Sequence, residues 1–194
     1  PYCAALSETA RAIGAVNTIV RRADGTLFGD NTDAYGFAML VQHSGADVTG
    51  KKAIVFGSGG ASATAQYVLR TLGAREVVVI SRSGENNYEN LERHADAELA
   101  VNTTPVGMYP HTGASPVDLD RLPKLEAALD VVYNPARTAF LLQADKRGLR
   151  TENGLLMLVA QAKKSCEDFT GEPVDDARIG QIAAALEKSM RNIV

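Results

Sequence analysis

The chain has 194 residues, 45% hydrophobic and 22% charged, with a net charge of −3. That is the composition of an ordinary globular chain long enough to bury a core. It offers no basic excess for nucleic acid or an anionic membrane surface, no apolar run long enough to span a bilayer and no leader-like segment at its start. Cys3 and Cys166 lie far apart with no C-x-x-C pairing, so two reduced thiols in a cytoplasmic protein are expected. His43, His94 and His111 are scattered, and no metal site is expected from that spacing.

Leu6 to Ile13 has helical spacing behind Ser7 and Glu8. Ala15 to Arg21 is strand-like, and Thr26 to Gly29 returns as its partner across Asp24-Gly25, a strong hairpin turn. The hairpin delivers the chain to Asp30-Asn31-Thr32-Asp33. A helix follows from Tyr35 to His43, with Phe37, Leu40 and Val41 on one side. Thr32 or Asp33 suits an N-cap, and from spacing alone capping outranks catalysis for Asp33. Four polar residues at a strand-to-helix junction can also present side chains to a ligand. Gly45 and Gly50 frame the link to the next strand.

The stretch from Lys52 to Ser83 organises the rest. Ala53 to Phe56 is a short apolar run of the kind a strand buried on both faces needs. Gly57-Ser58-Gly59-Gly60-Ala61-Ser62 follows at once, then helical spacing from Ala63 to Leu72 stopped by Gly73. Glu76 to Ile80 is a second buried strand. A strand, a glycine turn and a helix in that order read as a dinucleotide turn. Free amides and the positive end of the helix dipole converge there on a pyrophosphate. Gly57 permits the turn and Gly59 lets the backbone approach the phosphates. Ser62 stands where the third glycine usually stands and is small enough for close packing. No carboxylate occupies residues 80 to 84 to take a ribose hydroxyl. Arg82, between Ser81 and Ser83, offers a planar charged fork for a 2′-phosphate instead. The expected cofactor is therefore NADP(H).

Tyr88 to His94 is a short helix candidate, and Glu98 to Val101 a third strand. Asn102-Thr103-Thr104-Pro105-Val106-Gly107-Met108 follows it, either lining a cofactor groove at a strand's carboxyl end or forming a plain turn-rich loop. Tyr109 to Pro123 reads as surface loop. Asp130 to Tyr133 is expected as a fourth strand, Thr138 to Arg147 as a helix and Leu149 to Glu152 as a last short strand. Leu155 to Phe169 is amphipathic, with Gln161 placed to face a site. Asp175 or Asp176 caps a final helix with Ile179, Ile182, Ala183, Leu186 and Met190 on one face. The alternation from Lys52 onward predicts an α/β fold with a doubly wound parallel sheet.

Gly14-Ala15-Val16-Asn17-Thr18, Asn31-Thr32-Asp33, the Gly57 turn, Asn102 to Met108, and Gly154-Leu155-Leu156-Met157-Leu158 with Gln161 together resemble shikimate dehydrogenase, in that family's order and across the whole chain. The resemblance implies a Rossmann-like domain that binds NADP(H) and the reduction of 3-dehydroshikimate to shikimate in aromatic amino-acid biosynthesis. It implies that Asn17 and Asp33 hydrogen-bond the substrate hydroxyls, with Asp33 also half of a catalytic Lys–Asp pair. Gln161 reaches the substrate, and Tyr133 lies near substrate and nicotinamide. Gly57, Ser58, Gly59, Gly60, Ala61 and Ser62 hold the pyrophosphate; Ser81, Arg82 and Ser83 hold the 2′-phosphate. Asn102, Thr103, Thr104, Gly154 and Met157 line the cofactor cleft.

Two departures accompany it. Asn153-Gly154 stands where the family usually has Gly-Gly, and the span from Arg82 to Asn102 looks short for an adenosine-contacting segment. The resemblance also implies a substrate domain of roughly a hundred residues ahead of Pro1, carrying the catalytic lysine; Lys51 and Lys52 are on the wrong element to replace it. Three segments are expected: residues 1–32 as the tail of that domain, 33–152 as the NADP-binding domain and 153–194 as helices returning to the first. On this reading the chain alone binds NADPH with little turnover, and the apolar surface it bares favours self-association, a homodimer included. The alternatives are a non-catalytic NADP(H) sensor and a broader quinate/shikimate dehydrogenase.

Overall fold

A computed structural model describes residues 2–191; Pro1 and Asn192 to Val194, which the first and last expected segments include, lie outside the described residues. The chain forms two compact units. One gathers the chain up to Met39 with the chain from Leu156 onward, and the other runs from Leu40 to Leu155.

In the first unit, β1 (Ala5–Leu6), β2 (Thr18–Arg21) and β3 (Leu27–Asp30) form a sheet in the order β1-β3-β2. The hairpin between β2 and β3 is antiparallel, and β1 joins β3 in parallel. Local chemistry closes the turn: Asp24 Oδ1 accepts from the Thr26 amide at 2.9 Å and its hydroxyl at 2.7 Å. Between β1 and β2 runs α1 (Glu8–Ile13). Ser7 caps its start by accepting from the Ala10 amide, and Gly14 ends it at φ 76°. Asp33 is the first residue of α2 (Asp33–Ser44), whose first half belongs to this unit. The later chain adds two long helices, α5 (Leu155–Thr170) and α6 (Ala177–Arg191). Leu156, Val159 and Ala160 pack with Ile179, Tyr35 and Met39. Lys163 bridges Glu167 at 2.8 Å and Asp176 at 2.7 Å. The expected apolar face of α6 is only partly used. Ile179 is buried, whereas Ile182 is 46% and Leu186 39% exposed.

The second unit is a five-stranded, wholly parallel sheet in the order β5-β4-β6-β7-β8. Its strands are β4 (Lys52–Phe56), β5 (Glu76–Ile80), β6 (Leu99–Asn102), β7 (Ala127–Asp130) and β8 (Arg150–Glu152). Strands β4, β6 and β7 are buried along their whole length, as their unbroken apolar runs require. Two helices pack on the sheet, α3 (Gly60–Thr71) and α4 (Ala139–Lys146). Phe56 meets Phe140 edge-on at 6.2 Å and stacks with Tyr88 at 6.1 Å. At the strands' amino ends Lys52 pairs with Asp96 at 2.9 Å and Glu76 at 3.3 Å, and Lys51 pairs with Glu126.

Several boundaries differ from the expected ones: the helix expected over Tyr88 to His94 is a 3-10 turn at Leu91–His94, and the third strand is shifted to Leu99–Asn102. Helix α3 starts at Gly60 rather than Ala63, so the last glycine of the run opens its first turn, with Gly59 as N-cap. Strand β7 ends at Asp130, where the expected strand begins. Ala127 to Leu129 hold the ladder with Leu99 to Val101, and the chain turns after Asp130, whose carboxylate accepts from the Val132 amide at 3.0 Å.

Asp130 is 0% exposed. Burial lifts its carboxyl from 3.8 to about 6, against the opposing hydrogen bonds from Thr138, Val132 and Asn102. The folded chain therefore keeps this proton over pH values where the unfolded chain has released it. This contribution to stability falls as pH rises from near 4 to near 6 and is level above. Asp130→Asn removes the titration. In urea melts its stability relative to wild type should grow as pH rises from about 4 to about 6 and then hold constant.

Candidate active site

The strand order reverses between β4 and β6, and ligands of open α/β sheets sit outside the carboxyl ends at such a point. Register makes those ends level: Phe56 stands opposite both Ile80 and Asn102. The turns after β4, β5 and β6 therefore open on one side. Gly57 bends the first at φ 106°. A Cβ there would lie 2.9 Å from Thr103 Oγ1 and 3.0 Å from Thr104 Cγ2. Gly59 and Gly60 face open space, with no atom within 4 Å of an added Cβ. Gly59 supplies no side chain to cap α3, and the first turn of the helix carries no acidic residue. Its leading amides therefore keep their donors for an outside acceptor.

A cleft of about 550 Å³ covers this helix start, bordered by Gly57, Ser58, Gly59, Ser81, Arg82 and Tyr88 and by Thr103 to Val106. Among the described residues none of the ion pairs involves Arg82. Burial raises the Tyr88 phenol above its usual range, opposed by the Arg82 charge. A second pocket of about 390 Å³ shares Thr103, Thr104 and Pro105 and is completed by Met108, Tyr109 and Val131 to Asn134. Tyr133 borders it, 36% exposed.

The first unit carries a separate polar cluster. Asn17 Oδ1 accepts from the Thr32 amide at 2.9 Å and from the hydroxyls of Thr18 at 3.0 Å and Thr32 at 3.3 Å. Ser165 on α5 joins those two hydroxyls at 3.0 and 2.9 Å. The Asn17 side chain is also the group that acts on the neighbouring Asp33 carboxyl. Burial raises the Asp33 carboxyl above the usual carboxylate range, and the Asn17 bond opposes the rise. Gly36, one turn along α2, lets α5 come close: a Cβ there would be 2.6 Å from the Met157 carbonyl oxygen and 3.0 Å from Gln161 Cβ. Among the described residues no lysine is paired with Asp33. Lys51, Lys52, Lys163 and Lys164 are each held by other carboxylates.

No family model matches the chain. A shikimate dehydrogenase (NADP⁺) of Clostridium perfringens strain SM101 is 39% identical over 183 residues, covering 88% of this chain and 67% of the relative. The crystal structure of a chorismate mutase/shikimate 5-dehydrogenase fusion protein from Clostridium acetobutylicum superposes with a TM-score of 0.92 at 33% identity, covering 98% of this chain and 73% of that one. The chain belongs to the shikimate dehydrogenase family. Shikimate 5-dehydrogenase from Thermus thermophilus, solved in complex with NADP(H) and shikimate, matches with a TM-score of 0.81 at 35% identity over 94% of this chain and 72% of that one.

In this shikimate dehydrogenase fold the expected residues fall into separate groups. Gly57, Ser58, Gly59, Ser81, Arg82, Thr103 and Thr104 border one cleft. Gly60 and Ala61 open α3 beside it, and Ser83 is exposed but outside the lining. Ser62 is buried within α3 and accepts from Gln66 at 3.2 Å. Asn102 differs from its expected cleft-lining role. It is 0% exposed, and its amide is used internally by Thr104 and Asp130. Gly154 also presents no lining surface: it is buried, and a Cβ would fall 1.9 Å from the Val131 carbonyl oxygen. Asn153 Oδ1 accepts from the Leu155 amide at 2.9 Å, which explains an Asn before that glycine. Met157 belongs to the first unit with Asn17, Asp33 and Gln161.

Sequence reading missed Tyr88, Tyr109, Ser115 and Pro116 as lining residues. The available signal was a pair of tyrosines inside Asn-, Pro- and Gly-rich stretches. Among the described residues no group of three or more His, Cys, Asp or Glu could hold a metal ion. No helix among them is long and apolar enough to cross a membrane.

Gly57 and Gly60 should separate in a stability test. Gly57→Ala meets both a left-handed backbone and the Thr103 and Thr104 side chains, and should lose about 2 kcal/mol or more in denaturant melts. Gly60→Ala, in open space on a helical backbone, should change stability by under about 1 kcal/mol.

Proposed function

We propose that the chain is an NADP-dependent shikimate dehydrogenase, interconverting 3-dehydroshikimate and shikimate. One observation carries the reading: the uncapped start of α3 opens into a cleft that also holds Arg82, which no carboxylate among the described residues neutralises. A diphosphate fits the free amides of a helix start without a competing acid, and a guanidinium fork fits a phosphate monoester. The family's relatives bear the same activity in their names.

When bound, the nicotinamide supplies the hydride exchanged with the substrate carbon. The chain's own residues provide position and charge. Ser58 to Ala61 donate backbone amides to the diphosphate, the Gly57 amide being held by the Ile80 carbonyl at 2.8 Å, with Ser62 packed beneath them. Arg82, flanked by Ser81 and Ser83, takes the 2′-phosphate. Thr103, Thr104 and Tyr133 hold the remaining part of the cofactor. Asn17, Gln161 and Asp33 hydrogen-bond the substrate hydroxyls, the first with its oxygen already committed to Thr18 and Thr32. Asp33 orients the proton donor for the carbonyl oxygen, the lysine that the resemblance implies. No observation favours a sensor module or a broader quinate specificity.

Reduction of NADP⁺ by shikimate, followed by nicotinamide absorbance with the protein that carries this chain, tests the activity; no shikimate-dependent reduction would refute it. Asp33→Asn should lower kcat by about 10²-fold or more, the span of a lost acid–base partner. Arg82→Leu should weaken NADP⁺ by about ten-fold or more and leave NAD⁺ nearly unchanged in calorimetry, since only the former carries the phosphate.

A further inference from the structure

We infer that Asp130 is a positioning residue that sets one wall of the dinucleotide cleft by tying the turn after β6 to the turn after β7. The inference rests on the dinucleotide reading of that cleft.

Asp130 lines neither pocket. It is the last residue of β7 and stands opposite Asn102, the last residue of β6. Both are fully buried. Asp130 Oδ1 accepts from Asn102 Nδ2 at 3.0 Å and from the Val132 amide at 3.0 Å. Its Oδ2 accepts from the Thr138 hydroxyl at 2.6 Å. The link continues outward from Asn102. Its Oδ1 accepts from the Thr104 amide at 3.0 Å and the Thr104 hydroxyl at 2.7 Å, and Thr104 Oγ1 accepts from the Val106 amide at 3.2 Å. Thr138 in turn caps α4 by accepting from the Leu141 amide at 3.3 Å.

One carboxylate thus anchors hydrogen bonds from two turns, besides the Thr138 cap of α4. The first leads through Asn102 to Thr104, which borders both pockets; the second holds Val132 beside Tyr133 in the smaller one. No lysine or arginine contributes to its environment, so neutral donors alone satisfy it. A buried acid with that donor set has no surface partner to exchange with, and both turns are pinned to the same atom pair. Truncating it loosens Thr104, Val106 and Val132 together, while Thr103 stays tied to the Phe56 carbonyl and Gly57 to the Ile80 carbonyl.

That asymmetry provides the test. Calorimetry would compare NADP⁺ with adenosine 2′,5′-bisphosphate, which lacks the nicotinamide half. Asp130→Ala should weaken NADP⁺ by about ten-fold or more, as for lost hydrogen bonds to a charged group, and change the bisphosphate by less than about two-fold. Asp130→Asn keeps an oxygen for Asn102 and Val132 and should bring NADP⁺ affinity back to within about three-fold of wild type. Should Asp130→Ala not fold, Asn102→Ser cuts the same link and carries the same expectation. Unchanged NADP⁺ affinity, or equal weakening of both ligands, would overturn the positioning role. No binding of the bisphosphate to wild type would overturn the dinucleotide reading itself and this inference with it.

Discussion

The structure of the second unit depends on the register of its central strand. Phe56 is level with Ile80 on one side and Asn102 on the other. Parallel strands in that register end together, so the turns that follow them emerge at one edge of the sheet. A slip by one residue would turn the alternating side chains of β4 over. It would also move the glycine turn along the strand axis by about 3.3 Å. The Thr103 hydroxyl, which donates to the Phe56 carbonyl at 2.6 Å, would lose its acceptor, and the glycine turn would no longer border one cleft with Arg82.

What stands at that edge is a set of unsatisfied groups balanced by satisfied ones behind them. The start of α3 is left uncapped, and among the described residues Arg82 is left without an ion pair, where a ligand could complete both. Behind the edge almost nothing is left open. Asn102, Asp130 and Thr138 use their side chains on one another and on backbone amides. Close backbone approach does similar work elsewhere: Gly154 lies where any side chain would strike the Val131 carbonyl. In the first unit Gly36 admits α5 to α2 in the same way, beside an Asn17 whose oxygen is fully engaged.

The legible parts are those written in a few consecutive residues. A buried strand, a glycine run and a helix stop lie within Lys52 to Gly73, and each signal is local. The hairpin at Asp24-Gly25 is equally local. The start of α3 escapes such reading because glycine has low helix propensity, yet the amide mouth of that helix is made from the glycines. Strand β7 lies earlier than propensity places it, because Val131, Val132 and Tyr133 favour strands while Ala127 and Ala128 do not. Pairing with β6 overrides that preference. The face of α6 reads as a full stripe, yet Ile179 is buried while Ile182 and Leu186 stay partly exposed.

By itself the sequence determined the alternation of strands and helices, the chemistry of the phosphate turn and the absence of an acid beside Arg82, because each is a property of adjacent residues. Only the tertiary structure decided that Asn102 is an internal strut and not a ligand contact. Only it brought Asn17 to Thr32 and Asp33, and Tyr88 to the cleft of Gly57. Those outcomes depend on which distant side chain occupies each hydrogen-bonding direction, and a linear pattern carries no record of that competition.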